Sequence, residues 1–271
     1  MEVSAFDPQA LEQLDHALAG TRFAGKLQFF PTIPSTSTHA MAQGEAGAPD
    51  GTVYFADEQT AGRGRGAHAW TSPPGSGLYV SVLLRPQLTP ADVLWMSLAA
   101  GLAVHDAVRE LTSLEADLRW PNDLLFGKRK FSGVLTELNA EVTRVRYLVI
   151  GIGINVHQPA FPDELKDVAS SLHIETGRDW PRQELLALLL KAIDHEVNAL
   201  TGSTVEAQQS ILRRLEQISS WVRGKQVYVE NQPGMEGVTD GLDPRGFLQI
   251  RTANGLRTVL SGGVREQKGS R

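Results

Sequence analysis

The segment "VRYLVIGIGINV" (145–156) is the most apolar strand pattern in the chain. Aliphatic residues fill both of its alternating positions, so neither face suits water. Such a strand belongs in the middle of a sheet covered on both sides. Around it the sequence offers strands at 26–33, 51–58 and 78–86, and a strand pair at 116–126 and 129–138 around a turn. Helices are read from 3.6-residue spacing and end signals. Asp7-Pro8 starts one, with Leu11, Leu14 and Leu18 as its apolar stripe and Gly20 as its stop. Residues 35–43 read as a loop and helix start. Thr89-Pro90 opens a largely buried helix over 89–111. Asp179 is the expected N-cap of an amphipathic helix over 179–202, and another helix follows to residue 221.

After Trp221 the texture changes. "GKQVYVENQ", "EGVTDGLDP", "GFLQIRTANG" and "LRTVLSGG" are short β-patterned pieces split by Asp-Pro and Asn-Gly turns. The expected organisation is a larger domain over 1–222 and a small all-β barrel over 223–271. So short a barrel has little core of its own and should pack on its neighbour. No internal repeat is visible. Low complexity is confined to a Gly/Arg loop and the tail "EQKGSR".

Cysteine is absent, which removes disulfides, thiolate nucleophiles and thiolate metal sites. The net charge of -5 argues against a general nucleic-acid binder. No apolar run reaches the roughly 18 residues that span a bilayer. The first twenty residues are acidic, without the basic and apolar regions of a signal peptide. A cytoplasmic protein, with no membrane partner, is expected.

The chemistry concentrates in three stretches. "GRGRG" (62–66) is not a Walker loop, because no Gly-Lys-Ser/Thr follows, and it precedes a strand where a Rossmann turn would open a helix. "GIGINV" fails the same test. Taken alone, "GRGRG" reads equally as a solvated loop or as an anion clamp. In the clamp, Arg63 and Arg65 turn toward one phosphate or carboxylate. In "RWPNDLLFGKRKFSGVLTE" (119–137), Asn122-Asp123 is turn chemistry. Lys130 begins a strand beside Gly133, where a rigidly held ammonium would complement a mobile arginine loop. In "PSTSTHA" (34–40), Ser35 or Thr36 can cap a helix, or the hydroxyls can meet a polar ligand head. The seven histidines show no metal-ligand spacing, and no Gly-x-Ser-x-Gly elbow is present.

In this order the segments resemble the biotin protein ligases. The shared series is Ser35-Thr36, Gln-x-x-Gly-Arg-Gly-Arg-x4-Trp (Gln59 to Trp70), Trp-Pro-Asn-Asp (Trp120 to Asp123), Lys-x-x-Gly-x-Leu-x-Glu (Lys130 to Glu137) and Gly-x-Gly-x-Asn (Gly151 to Asn155). Five motifs in order make the solvated-loop reading of "GRGRG" a minor one. The resemblance implies an α+β fold of the class II aminoacyl-tRNA synthetase/biotin synthetase type. That is a mixed sheet with flanking helices, plus a small C-terminal SH3-like β-barrel. It implies a two-step ATP-dependent reaction using Mg2+. Biotin becomes biotinyl-5′-AMP, and the acyl group then passes to a lysine on the biotin carboxyl carrier domain of a carboxylase.

Carried over by position, the resemblance gives Ser35, Thr36 and Gln59 to the ureido ring of biotin. Arg63 and Arg65 belong to the loop that folds over biotin and adenylate, and with Lys130 they form the catalytic set. Lys130 meets the biotin carboxyl and α-phosphate, and Gly133 admits the ligand against backbone. Trp70, Asn122 and Asn155 fall to the nucleotide, and Asp123 is a candidate for magnesium or water. The sequence departs from the family at Gly66-Ala67-His68, where further basic residues are common. Residues 1–25 are too few and too acidic for the DNA-binding domain some relatives carry, so a monofunctional ligase is expected. Monomer and homodimer both fit. The rivals are a lipoate-attaching enzyme, a non-catalytic biotin or nucleotide sensor and, third, a nucleic-acid binder.

Overall fold

In a computed structural model, residues 6–66 and 68–267 are described. Ala67, and the outermost residues of the acidic start and of the tail, therefore lie outside the described residues. Seven strands form the main sheet: β1 (Leu27–Ile33), β2 (Thr52–Gln59), β3 (Gly77–Leu84), β4 (Asp117–Arg119), β5 (Asp123–Phe126), β6 (Arg129–Ala140) and β7 (Val145–Asn155). Their order is β1-β2-β3-β7-β6-β5-β4, with only the β1–β2 pair parallel. The apolar strand at 145–155 is therefore the central one, as its composition requires.

The expected strand over 116–126 is two strands. Pro121 has no N–H to give to a ladder, and the Trp120–Asn122 turn separates β4 from β5.

Helices α1 (Pro8–Ala17), α3 (Val93–Thr112), α5 (Arg182–Gly202) and α6 (Thr204–Ile218) cover one face of the sheet, and α2 (Thr36–Glu45) covers the other. Asp7 caps α1 as expected, accepting from the Ala10 N–H at 2.8 Å. Asp179 does not cap α5, which begins after an N-cap at Pro181. A residue before proline is kept out of helical conformation, so Trp180 cannot belong to the helix. Asp179 instead accepts from His173 at 2.8 Å. A short helix the sequence reading lacks, α4 (Leu172–Thr176), is capped by Ser171.

Helix α3 together with its leading 3-10 turn is long and apolar enough to cross a membrane. Two thirds of its most apolar window is buried in the fold, so core packing accounts for its composition.

The C-terminal residues form a second sheet from β8 (Arg223–Val229), β9 (Glu236–Leu242), β10 (Leu248–Thr252), β11 (Gly255–Val259) and β12 (Val264–Glu266). Its order, β11-β10-β9-β8-β12, is antiparallel throughout and compatible with an SH3-like module. Val227, Leu248, Ile250 and Val259 join the same buried cluster as the main sheet and helices. Trp120 reaches across and donates its indole N–H to the Gly246 carbonyl at 2.9 Å. The short module thus shares a core with its neighbour, as its size demands.

Candidate active site

The α2 face of the sheet changes character along its length. At one level Tyr54, Leu83, Tyr147 and Val149 fill it and pack on Ala40 of α2. Two residues further along each strand, Ser81 pairs with Gly151, and Gly151 with Leu135. One level on, Gly153 pairs with Gly133. Period-2 alternation puts Ser81, Gly133, Gly151 and Gly153 on one face, and missing side chains there leave a cleft. The glycines are required by close approach: a Cβ at Gly151 would overlap Ser37 Oγ, and one at Gly153 would overlap the Trp70 indole.

One end of the cleft is neutral and polar. Gln59 Oε1 accepts from the Thr36 N–H at 2.9 Å and from Thr36 Oγ1 at 3.1 Å. Thr36 Oγ1 in turn accepts from Ser81 Oγ at 2.8 Å. Ser81 has then spent its only proton, so the 3.0 Å contact with Ser37 runs from Ser37 to Ser81. The hydroxyls form a directed chain, Ser37 to Ser81 to Thr36 to Gln59. Gln59 Nε2 donates one proton to Ser72 Oγ at 2.9 Å. Its second proton has no protein partner among the described residues. The end therefore offers a fixed amide donor and the lone pairs of Ser37 to whatever enters.

The other end is charged and answers itself. Lys130 Nζ lies 2.6 Å from Asp123 Oδ1, and Arg119 Nη2 lies 2.6 Å from Oδ2. Burial alone would raise the Asp123 carboxyl, yet Lys130 and Arg119 hold it below its ordinary value. Lys130 also stands 5.2 Å over the Trp70 ring, whose buried Nε1 has no hydrogen-bond partner among the described residues. Away from that end, at the level where Glu137 lies opposite Val149, Arg63 makes a bidentate pair with Glu137, at 2.7 and 3.0 Å.

The Gly/Arg loop, which the resemblance makes a lid, has backbone structure of its own. Gln59 pairs with Ser72 and Arg63 with Ala69, and the Trp70 N–H donates to Gly62 O at 2.9 Å. Gly66 takes a positive φ of 67°, which glycine adopts without strain. Arg65 crosses to the loop between β11 and β12 and donates to the Gly262 carbonyl at 3.0 Å. Burial lowers its pKa, and the nearby Asp123 charge opposes that shift.

Eight residues expected from the sequence line the cleft together: Thr36, Gln59, Arg63, Arg65, Trp70, Asn122, Lys130 and Gly133. Ser35 is not among them; it caps α2 and accepts from the Thr38 N–H at 3.3 Å. Asn155 is not among them either. Its amide donates to Ser170 O at 3.0 Å and accepts from Gln158 at 3.2 Å. The loop it holds flanks Lys130 through the Lys130 N–H to Val168 O and Ser170 N–H to Lys130 O bonds. Asn122 brackets Val134, donating its side-chain amide to Val134 O at 2.8 Å.

Asp123 does not fit a magnesium ion, because each carboxylate oxygen is taken by a cation. No cluster of three or more metal-ligating side chains occurs among the described residues. Ser37, Ser81 and Glu137 were not expected as site residues. The signals were present: Ser81 is the lone serine in an apolar strand, and Glu137 lies at even spacing from Gly133.

The Biotin/lipoate A/B protein ligase family matches residues 29–155. The bifunctional ligase/repressor BirA of Bacillus subtilis is 40% identical over 245 residues, covering 88% of this chain and 73% of that protein. A biotin–[acetyl-CoA-carboxylase] ligase of Mycobacterium tuberculosis is 32% identical, covering 93% and 91%. The structure of a biotin protein ligase from Aquifex aeolicus in complex with biotin and ATP superposes with a TM-score of 0.78. It is 33% identical and covers 90% of this chain and all of that one.

Proposed function

The chain belongs to the biotin/lipoate A/B protein ligase family, among its biotin protein ligases, and from that premise we propose that the cleft makes biotinyl-5′-AMP and delivers its acyl group to a carrier lysine. It is an ATP-dependent biotin ligase. The observation that carries the residue assignment is the pairing of a neutral polar end with a charged end across one row of glycines.

A ureido ring presents a carbonyl acceptor and N–H donors. The free proton of Gln59 and the lone pairs of Ser37 complement it, with Thr36 and Ser81 fixing both. Ser35 contributes by capping the helix that carries Thr36 and Ser37. The valeryl chain then runs over Gly151, Gly153 and Gly133 beneath Trp70. Its carboxylate reaches Lys130 and Arg65.

A biotin carboxylate oxygen attacks the α-phosphorus of ATP. The bond from that phosphorus to the bridging oxygen breaks, and pyrophosphate leaves with the electron pair. Two anions must meet for this, and Lys130 and Arg65 offset their repulsion and the charge that develops on phosphorus. Lys130 is free to turn because Asp123 keeps Arg119 when it leaves. In the second step a neutral lysine amine attacks the acyl carbon, AMP departs, and the amine proton goes to solvent. No covalent bond to the enzyme is needed, which suits a chain without cysteine. Any magnesium would enter on the ATP phosphates, and no step is assigned to it. Asn122 holds β6 beside the adenylate, and Asn155 acts from behind Lys130.

The acceptor is proposed to be a biotin carboxyl carrier domain. Incubation with ATP, biotin and such a domain should raise the domain's mass by one biotinyl group on one lysine. Modification with lipoate but not biotin would contradict the assignment.

A further inference from the structure

Glu137 has no part in the adenylation and transfer steps. It stands on β6 on the cleft face, two residues beyond Leu135. Both its oxygens are taken by Arg63 of the lid, at 2.7 and 3.0 Å. Its environment differs from that of Asp123. Asp123 has Arg119 as well as Lys130, so Lys130 can depart without stranding a charge. Glu137 has only Arg63 as an ion-pair partner among the described residues. If Arg63 turned to a substrate anion, a carboxylate only 23% exposed would be left unpaired beside incoming negative charge. The arrangement therefore favours an Arg63 that stays. Arg63 is also fixed from its own side, by the backbone bridge to Ala69.

We infer that Glu137 is a positioning residue: through Arg63 it latches the Gly62–Trp70 lid to the rigid strand β6, so that the activated acyl group stays in the cleft until an acceptor amine arrives. The Arg65 bond to Gly262 ties the lid to the loop between β11 and β12, giving it two anchors on different elements. A mixed acyl-phosphate anhydride is open to water, so retention protects the intermediate. In this arrangement Arg63 serves the lid, and Lys130 and Arg65 serve the reacting groups. The inference rests on the acyl-adenylating reading for its purpose, though the latch itself is independent of it.

Glu137→Gln keeps the side-chain length and removes the charge. Trypsin can cut after Arg63 and Arg65, so limited proteolysis without ligand reads the latch directly. Cleavage in the lid should be about fivefold faster in Glu137→Gln, the scale of a half-exposed ion pair, at an unchanged thermal midpoint. Glu137→Asp, which keeps the charge, should fall between variant and parent.

The functional readout uses adenylate formed from biotin and ATP and then freed of excess ligand. Its loss to solution as biotin and AMP should also be about fivefold faster in Glu137→Gln. Pyrophosphate formation at saturating substrates should stay within about twofold, because Glu137 touches no reacting atom. In an Arg63→Gln background, Glu137→Gln should add nothing to the leak. Equal lid cleavage in parent and Glu137→Gln would overturn the latch, and equal adenylate loss would overturn its purpose. A parent chain that forms no adenylate would instead overturn the reading of the cleft, with proteolysis still judging the latch.

Discussion

At the Gln59 end of the cleft, Thr36, Ser37, Ser81 and Gln59 answer one another through neutral hydrogen bonds, whereas at the Lys130 end Lys130, Arg119 and Asp123 answer one another through charge. The neutral end is satisfied and still holds a donor and an acceptor in reserve. On the proposed reading it binds without rearranging. At the Lys130 end the ammonium is already matched by a carboxylate, so on the proposed reading binding there exchanges one partner for another, while Arg63 keeps Glu137. The first kind of site gives uniform affinity for a head group. The second gives interactions that form as charge develops, which is where rate acceleration resides. On the proposed reading, one cleft thus separates recognition from chemistry by the type of bond it uses.

The largest effect should come from breaking the charged end. Lys130→Ala is expected to slow adenylation by about 10²–10³-fold, the usual cost of losing one preorganised charge-stabilising group. Asp123 keeps Arg119, so circular dichroism should match the parent. Adenylation at the parent rate would remove Lys130 from the proposed role.

At the neutral end the outcome should differ in kind. Gln59→Leu strands the Thr36 donors and removes the reserve amide proton. The KM for biotin should rise about 10–100-fold, in line with the roughly 1–3 kcal/mol of an unmade buried hydrogen bond. The kcat should hold, because uniform binding is what is lost. A fall in kcat with KM unchanged would erase the distinction between the ends.

How much of this was legible in the sequence follows the same division. The central strand was readable because Val149, Ile150, Ile152 and Ile154 leave no wettable face. Arg63, Arg65, Trp70 and Lys130 were readable because their motifs stand in order along the chain. Ser81 and Glu137 were harder. Their importance depends on which residue of a distant strand lies opposite, and register is set by the assembled sheet. The strand break at Trp120–Asn122 and the start of α5 turned on Pro121 and Pro181. Asn155 carries a motif position yet faces Ser170 and Gln158, a placement set by the loop that folds back on β6.

The smallest expected effect is on stability against acid. The Asp123 carboxyl is held below its ordinary value of 3.8, with burial opposing and Lys130 and Arg119 prevailing. A depressed carboxyl binds its proton more weakly when folded than when unfolded. Its contribution is therefore present above 3.8 and lost as pH falls through the lowered value. Urea unfolding of the parent between pH 6 and pH 3 should show a drop that Asp123→Asn shows less of. The same slope in both would mean the ion pairs contribute nothing in solution.

The most direct test of the contrast between the two ends is a crystal structure of the chain with a non-hydrolysable biotinyl-adenylate analogue. The neutral network of Thr36, Ser37, Ser81 and Gln59 should keep its hydrogen bonds. Lys130 Nζ should leave Asp123 and meet the analogue where carboxylate and phosphate are joined. A bound structure in which Lys130 stays on Asp123 while Gln59 and Thr36 rearrange would contradict the account.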